Sequence, residues 1–510
     1  MTFDTKDFMS DIPRGDTQRY LNEQRQPQAR FQKTERLLQN QSLAYDPAAP
    51  GDQILVGALG SQLIGISDNR HILTAAGSRA GKSVGLINNL AFYPGSCLVM
   101  DPKGELANKT AERRAAMGQK VFVLDPFGYT HKKLATFKAR YNPLSLLNLG
   151  SETLIEDANP IADAIVVQTQ GNKDPHWDEC AAEFLEGVML HIATSPDYKD
   201  KRNLVTLRRL IQIAMIEAEC DQDEEPLFVL EQEMIENGQR LQQFEETEDV
   251  GEAIEGAARS FYEKSDRERD SVLSTIRRHT RFLNYRALRH ILSGHDFDLS
   301  ALKKEKVTIY VCFPATRVEM SRRLLRMFIN QFLDAMERET TKPDHPVLLC
   351  LDEFPVLGYM RQLENAAGQV ASFGVKLWVI IQDWSQGEAL YGKRWETFVG
   401  NAGILQFFGI NDVATAEYIS KRLGKTPVEV ARLGEVGKEQ QEHGLSGRSH
   451  SVELHELLTP EEITRLFARD DRYKRQLVLW AGYHPMILQR VEYYDQHSPV
   501  YSYFKGKVSQ

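Results

Sequence analysis

The sequence places its tightest constraint near the beginning of its apolar material. His71-Ile72-Leu73-Thr74-Ala75-Ala76 is a short apolar run that breaks at once into Gly77-Ser78-Arg79-Ala80-Gly81-Lys82-Ser83. A strand that ends abruptly, a small-residue loop and a helix start form a phosphate-binding loop, because backbone N–H groups point inward and the helix N-terminus adds partial positive charge. In this reading Ala76, Gly77, Ser78, Arg79, Ala80 and Gly81 form the cradle, Lys82 reaches the outer phosphates and the Ser83 hydroxyl ligates Mg²⁺. The first loop position is Ala76 where the strict pattern has Gly, so the first turn must tolerate a Cβ, while Gly77 and Gly81 permit close backbone approach. The competing reading is a chance Gly-Lys-Ser in an ordinary strand-to-helix turn, and the rest of the chain has to decide between them.

The chain supplies more strands of the same kind. Cys97-Leu98-Val99-Met100 runs into Asp101-Pro102-Lys103-Gly104-Glu105, and Val121-Phe122-Val123-Leu124 runs into Asp125-Pro126, with helical spacing between them. Such alternation predicts an α/β fold with a doubly wound, mainly parallel sheet. Glycine-broken pieces from Ile54 to Ile66 predict a hairpin leading into the loop strand. Apolar runs at Val307–Phe313, Val347–Leu351, Val375–Ile381, Ile404–Phe408 and Gln476–Ala481 would complete a sheet of roughly eight strands.

Between about 155 and 295 strand-like runs give way to helical spacing. Glu217 to Glu255 holds fifteen acidic residues against the single basic Arg240, whereas Arg259 to Arg289 holds nine basic residues against four acidic ones. This section is expected to be a helical domain inserted into the sheet domain. The boundaries expected from sequence are a polar arm over 1–50, a first nucleotide-binding part over 51–155, the all-α insertion over 156–298, a second nucleotide-binding part over 299–495 and a tail over 496–510.

A second motif bears on the loop. Val347-Leu348-Leu349-Cys350-Leu351-Asp352-Glu353-Phe354 delivers two carboxylates at the C-terminal end of a β run, where open α/β sheets place their ligands. Beside a phosphate loop, Asp352 would hold Mg²⁺ through water and Glu353 would orient and deprotonate an attacking water. A solvated acidic strand end is the alternative. Gln382, after the run that ends at Ile381, is placed to contact a γ-phosphate or that water, unless it is a plain surface glutamine. Asp101 and Lys103, at another strand end, either line the same pocket or belong to a turn made by Asp-Pro and Gly.

At 510 residues, two domains plus tails are expected. The formal charge of −9 leaves no global basic field, so any nucleic-acid contact must use local basic surface or a channel assembled from several subunits. Cys97, Cys180, Cys220, Cys312 and Cys350 lack C-x-x-C spacing, which predicts reduced thiols in a cytoplasmic chain. The start of the chain has no signal-peptide pattern, and no run reaches the roughly 18 apolar residues of a membrane span. His176-Trp177-Asp178-Glu179-Cys180 holds potential metal ligands but reads better as a helix start capped by Asp174. Arg277-Arg278-His279-Thr280-Arg281-Phe282 with Tyr285-Arg286 interleaves basic and aromatic residues, as a DNA-facing surface or as a solvated helix face.

Taken as a set, these stretches carry a resemblance. The phosphate loop with Val84-Gly85, Asp101-Pro102-Lys103-Gly104-Glu105, Tyr141-Asn142-Pro143-Leu144, Asp174-Pro175-His176-Trp177, Ser271-Val272-Leu273-Ser274-Thr275, Leu351-Asp352-Glu353-Phe354-Pro355 and Gln382-Asp383 occur in the order found in the type IV secretion coupling proteins, the conjugative DNA-transfer ATPases. The likeness continues through Asn401, Asn411-Asp412, Tyr418-Ile419-Ser420 and Leu458-Thr459-Pro460-Glu461-Glu462, so it spans about 60 to 490.

The resemblance implies a RecA-like nucleotide-binding domain with an inserted all-α domain, working as a homo-hexameric ring. It implies ATP and Mg²⁺ bound by Lys82, Ser83 and Asp352, with Glu353 as base and Gln382 sensing the γ-phosphate. It implies relaxase-bound DNA or effector proteins as substrate, channel components of a type IV secretion system as partners, and an arginine finger, for which Arg317, Arg361 and Arg394 are candidates. Members of that family usually carry N-terminal membrane helices, and none is read here, so indirect recruitment to the inner face of a bacterial inner membrane is expected. A general DNA-pumping or packaging ring ATPase, and a nucleotide-binding cargo receptor with little turnover, are the alternatives.

Overall fold

The computed structural model describes residues 29–166, 176–218, 227–314, 318–433 and 448–505. In chain order come β1 (Ile54–Leu59), β2 (Gln62–Ile66), β3 (His71–Ala76), α1 (Lys82–Phe92), β4 (Cys97–Met100), α2 (Glu105–Ala116) and β5 (Lys120–Leu124). A helical stretch follows: α3 (Leu154–Ile165), α4 (His176–Thr194), α5 (Leu204–Ile213), α6 (Val229–Leu241), α7 (Glu248–Tyr262), α8 (Asp266–His279) and α9 (Arg286–Leu292). Strands then return with β6 (Val307–Val311), α10 (Val318–Arg338), β7 (Val347–Leu351), α11 (Arg361–Gln369), β8 (Val375–Ile381), α12 (Trp384–Tyr391), α13 (Trp395–Gly400) and β9 (Ala402–Phe408). Then come α14 (Val413–Leu423), β10 (Lys425–Leu433), β11 (Arg448–Glu456), α15 (Pro460–Leu466), β12 (Arg475–Trp480), β13 (Met486–Gln489) and a short helix over Tyr501–Phe504.

The chain divides into two compact units. The first takes the described residues of Met1–Gly95, Asp344–Pro355 and Ala367–Gln510. Its strands run in the order β2-β1-β13-β12-β9-β3-β8-β7. The segment β9-β3-β8-β7 is parallel, and β3, β7 and β8 are buried along their whole length, as strands covered on both faces must be. The other half of the order is antiparallel.

Register in this unit is pinned by a buried polar chain. Trp378 Nε1 donates to Thr74 Oγ1 (3.0 Å), and Thr74 Oγ1 donates to Gln406 Oε1 (2.9 Å), joining β8, β3 and β9. A slip of one residue would leave these groups unpaired in the interior, at a cost of about 1–3 kcal/mol each. Helix α1 is fixed to β1 by Asn89, whose amide takes both Leu55 N–H (2.8 Å) and Leu55 C=O (3.0 Å). Behind β7, Phe354 packs with Tyr391, Trp395 and Phe398, with ring centroids 5.6–6.1 Å apart. The hairpin β10-β11 forms a separate two-stranded sheet.

The second unit takes the described residues of Ser96–Pro343 and Val356–Ala366. Its strands β4, β6 and β5 are parallel, with Thr308 of β6 registered against Cys97 and Val121. Arg114 of α2, fully buried, satisfies its guanidinium on Thr308 Oγ1 (2.8 Å) and Gln119 Oε1 (2.7 Å). Among the described residues between 156 and 298 the elements are helices, with one isolated bridge, Glu217 to Phe228. Helices α4 and α7 approach closely: Phe184 stacks on Phe261 at 3.9 Å, and a Cβ on Gly187 would lie 2.3 Å from Ala257 Cβ.

Among the described residues no helix is long and apolar enough to cross a membrane.

Candidate nucleotide-binding site

The stretch from Ala76 to Ser83 forms a strand, a loop and a helix start, as its composition requires. Ala76 is the last residue of β3, with its methyl buried beside Ala80 and Phe408, so the departure from Gly costs nothing: no left-handed conformation is needed there. The left-handed positions fall later, at Arg79 (φ 58°) and Gly81 (φ 97°). Gly81 is the residue that caps α1, and Val84 N–H and Gly85 N–H both turn back to its carbonyl at 3.0 and 3.4 Å. Ser78 and Arg79 are exposed, while Lys82 and Ser83 are half-buried at the helix start.

The loop rests on the end of β9. A Cβ on Gly77 would sit 2.3 Å from Gly409 O, and one on Gly409 (φ 63°) would sit 2.2 Å from Ala80 Cβ. The first is a contact with backbone and the second with a methyl, and neither glycine has room for a side chain.

The acidic pair occupies the same edge. Ala75 is registered with Ile381, and Val379 with Leu351, so Gly77, Gln382 and Asp352-Glu353 leave three neighbouring parallel strands at their C-terminal ends. At about 4.8 Å between strands, the ends of β3 and β7 lie on the order of 10 Å apart. Asp352 is 5% exposed. Glu353 follows it with φ 62°, a conformation that non-glycine residues adopt at a cost and that clusters at functional sites. Its carboxylate accepts from the Gln382 amide, Nε2 to Oε2 at 3.1 Å and to Oε1 at 3.4 Å. Gln382 is itself held by its own N–H donating to Gln386 Oε1 (2.9 Å).

Asp101 and Lys103 belong to the second unit. The buried Asp101 carboxylate accepts Ala107 N–H (2.8 Å) and the Cys312 thiol (3.9 Å), and Gly104 N–H closes on Asp101 O (3.1 Å) with Gly104 at φ 68°. This is the turn that launches α2, and Lys103 is exposed on it.

The weaker signals separate as well. His176 and Cys180 start α4 with Cys180 Sγ 3.8 Å from the imidazole, but no group of three potential metal ligands exists among the described residues. Asp178 turns inward to His279 Nε2 at 3.1 Å. The capping residue Asp174 lies outside the described residues. In the basic-aromatic stretch Arg277, Arg278, Arg281, Tyr285 and Arg286 are exposed, whereas Phe282 and His279 are buried. Of the arginine-finger candidates, Arg361 and Arg394 are exposed and Arg317 lies outside the described residues.

Sequence reasoning missed Arg490. Just past β13, it donates Nη1 to Ala80 O in the phosphate loop (2.6 Å), with its guanidinium 5.5 Å from the Phe408 ring centroid. Burial pulls its pKa below the ordinary arginine value, though Glu492 and Asp471 oppose that pull. Only the Gly-Lys-Ser pattern is local; nothing near position 490 announces the contact. Behind the loop, Lys82, Asn88, Gln406 and Arg490 line a cavity of about 40 Å³. That volume suits one or two waters and not a nucleotide. Its wall includes Asn88, whose Nδ2 donates to Val491 O (2.8 Å) while Oδ1 is buried without a partner.

The chain can be set beside known proteins. The family described as Type IV secretory system Conjugative DNA transfer matches residues 21–509. The conjugal transfer protein TraG of Escherichia coli is 29% identical over 416 residues, covering 78% of this chain and 62% of that protein. The type IV secretion system-coupling protein VirD4 of Bartonella quintana (strain Toulouse) is 26% identical over 465 residues, 88% of this chain and 67% of its own length. Thus the chain spans somewhat under two thirds of the TraG relative. Among solved structures, the bacterial conjugative coupling protein TrwBdeltaN70 in its unbound monoclinic form superposes with a TM-score of 0.60 at 15% identity, covering 92% of this chain and 95% of that one. The plasmid coupling protein TrwB in complex with ADP and Mg²⁺ gives a TM-score of 0.59 at 15% identity over 91% and 95% of the two chains. At that identity the likeness is one of fold: α/β with a phosphate-loop strand and a helical part. With the family matched over nearly its whole length, the chain belongs to the type IV secretory system conjugative DNA transfer family.

Proposed function

We propose that this chain is an ATP-hydrolysing coupling protein that recruits relaxase-bound single-stranded DNA, effector proteins or both, and delivers them to a type IV secretion channel. The observation that carries this is Glu353: a carboxylate in a left-handed backbone conformation, held by Gln382, two strands across from a phosphate loop. A purely structural nucleotide site has no use for such a residue.

The residues suit ATP and Mg²⁺. The loop offers the half-buried Lys82 and a Gly81 N–H that has no hydrogen-bond partner among the described residues. Ser83 and Asp352 are the hydroxyl and carboxylate that would hold the ion, and TrwB has been solved with ADP and Mg²⁺. Bound Mg²⁺ supplies neutralisation of charge on the β- and γ-phosphates. Lys82 steadies the outer phosphate oxygens. Glu353 accepts a proton from the attacking water as the new P–O bond forms and the bond to ADP breaks. Gln382, already on the Glu353 carboxylate, orients both. In a ring of six copies, a neighbouring subunit would add an arginine to the phosphoryl group, and hydrolysis would shift segments that grip the substrate. The place of action would be the inner face of a bacterial inner membrane, beside the channel partners.

The decisive experiment measures Mg·ATP turnover and equilibrium binding for the native chain and Glu353→Gln. Turnover should vanish while binding persists. Equal hydrolysis by the variant would remove Glu353 from the mechanism, and absence of turnover in the native chain with DNA present would favour a receptor.

A further inference from the structure

We propose that Arg490 is a positioning residue for the phosphate loop, holding the Ala80 carbonyl from behind so that the Gly81 N–H faces the bound phosphate. The proposal rests on the loop being a nucleotide site.

In a trans peptide the C=O of one residue and the N–H of the next point in opposite directions. Arg490 Nη1 takes Ala80 O at 2.6 Å, so the Gly81 N–H of that same plane points away from the guanidinium. Gly81, at φ 97°, then begins α1. Arg79 holds a left-handed conformation that a non-glycine residue adopts at a cost, so this stretch relaxes unless something fixes it.

Arg490 is itself held at several points. Its own N–H donates to Lys474 O (2.8 Å), Nε to Lys474 O (3.3 Å) and Nη2 to Arg469 O (3.0 Å), with Phe408 beneath the guanidinium. Every partner is a backbone carbonyl or a ring. Among the described residues no carboxylate lies within ion-pair distance of it, so its charge reaches the loop without being neutralised in direct contact. The planar fork is what allows three carbonyls to be gripped at once, which an ammonium on a flexible stem does not reproduce. Phe408 touches both partners, packing with Ala76 and Ala80 on one side and Arg490 on the other.

The test uses the full chain with Arg490→Met and Arg490→Lys. Two quantities are read: the dissociation constant for Mg·ADP by calorimetry, and hydrogen exchange of amides 78–83 in nucleotide-free protein. Loss of a charged hydrogen bond of this kind should weaken Mg·ADP binding about tenfold to a hundredfold in Arg490→Met. Arg490→Lys, which keeps charge but not the fork, should be weakened nearly as much. Exchange at 78–83 should rise about tenfold or more in both, with β3 amides unchanged. Native affinity and native loop exchange in the variants would overturn the proposal, whatever the melting temperature did, and so would full rescue by lysine. Should Arg490→Met fail to fold, Arg490→Lys carries the same two readouts. If the native chain bound no Mg·ADP, the nucleotide reading would fall, and the exchange of 78–83 would still decide whether Arg490 holds the loop.

Discussion

Two acidic strand ends in this chain look alike in sequence and behave differently. After β4, the Asp101 carboxylate is occupied by Ala107 N–H at the start of α2, and the left-handed position beside it is a glycine. After β7, the left-handed position is Glu353 itself, and its carboxylate meets a side-chain amide from the neighbouring strand. The first arrangement makes a turn at low cost. The second accepts backbone strain to hold a carboxylate in one place. An acid at a strand end is therefore assigned by what occupies its oxygens and by the torsion of its backbone, and not by its position in the motif.

The contrast is tested most severely by removing charge at each end. Glu353→Gln should lower turnover by about 10²–10⁴ with the melting temperature kept, whereas Asp101→Asn should leave turnover within a few-fold of native; steady-state kinetics on both variants decides. If Asp101→Asn matched Glu353→Gln, the two ends would share one role.

The distinction extends to buried groups that serve only the fold. At the start of β3, His71 Nε2 donates to Ala367 O (3.0 Å) and Nδ1 accepts Leu377 N–H (3.3 Å), so the neutral ring is the one that fits. Burial above all, with Lys376 adding to it, pushes its pKa down from 6.5 to about 4 against the pull of Ala367 O. Below pH 6.5 the unfolded chain takes up a proton that the folded chain refuses until about pH 4. Stability conferred by the neutral ring is full above that window and falls as pH drops through it, by about 3 kcal/mol. Denaturant unfolding at pH 7 and pH 4 should show this loss, and His71→Gln should remove it.

A smaller effect is expected where Asp101 is cut back. Asp101→Ala leaves Ala107 N–H without its acceptor and should cost about 1–3 kcal/mol by denaturant unfolding, with nucleotide affinity unchanged. The smallest is also the most pointed. Glu353→Gly relieves the left-handed strain and should stabilise the chain by about 0.5–1 kcal/mol while abolishing turnover, and a destabilised variant would contradict the strain argument.

What the sequence revealed was what local pattern encodes. The loop from Ala76 to Ser83, the β7 run into Asp352-Glu353, and Gln382 after β8 each announce themselves within a dozen residues, and the register of three parallel strands brings them to one edge. The helical spacing between 156 and 298 was equally local. Strands β10 and β11 escaped notice because Lys425–Leu433 and Arg448–Glu456 mix charged and apolar residues and hold no continuous apolar run. Arg490 and the Phe408-Gly409 seat escaped because they meet the loop across hundreds of residues of chain. In the basic-aromatic stretch Phe282 and His279 face the interior and Tyr285 stands among the exposed arginines, a division that spacing alone does not reveal.

The seam between Gly77 and Gly409 carries one more implication. A misfit between two side chains is ordinarily repaired by shrinking the partner, and cores drift through such compensated pairs. Here both partners are already glycine, with the Gly409 carbonyl 2.3 Å from where a Gly77 methyl would be. Nothing smaller is available at Gly409, and the clashing atom is its backbone carbonyl. An error at Gly77 therefore has no second-site remedy at Gly409, so a suppressor screen begun from a Gly77 change should return no compensating substitution there, whereas an error at Gly409 meets the Ala80 methyl and can be relieved by Ala80→Gly.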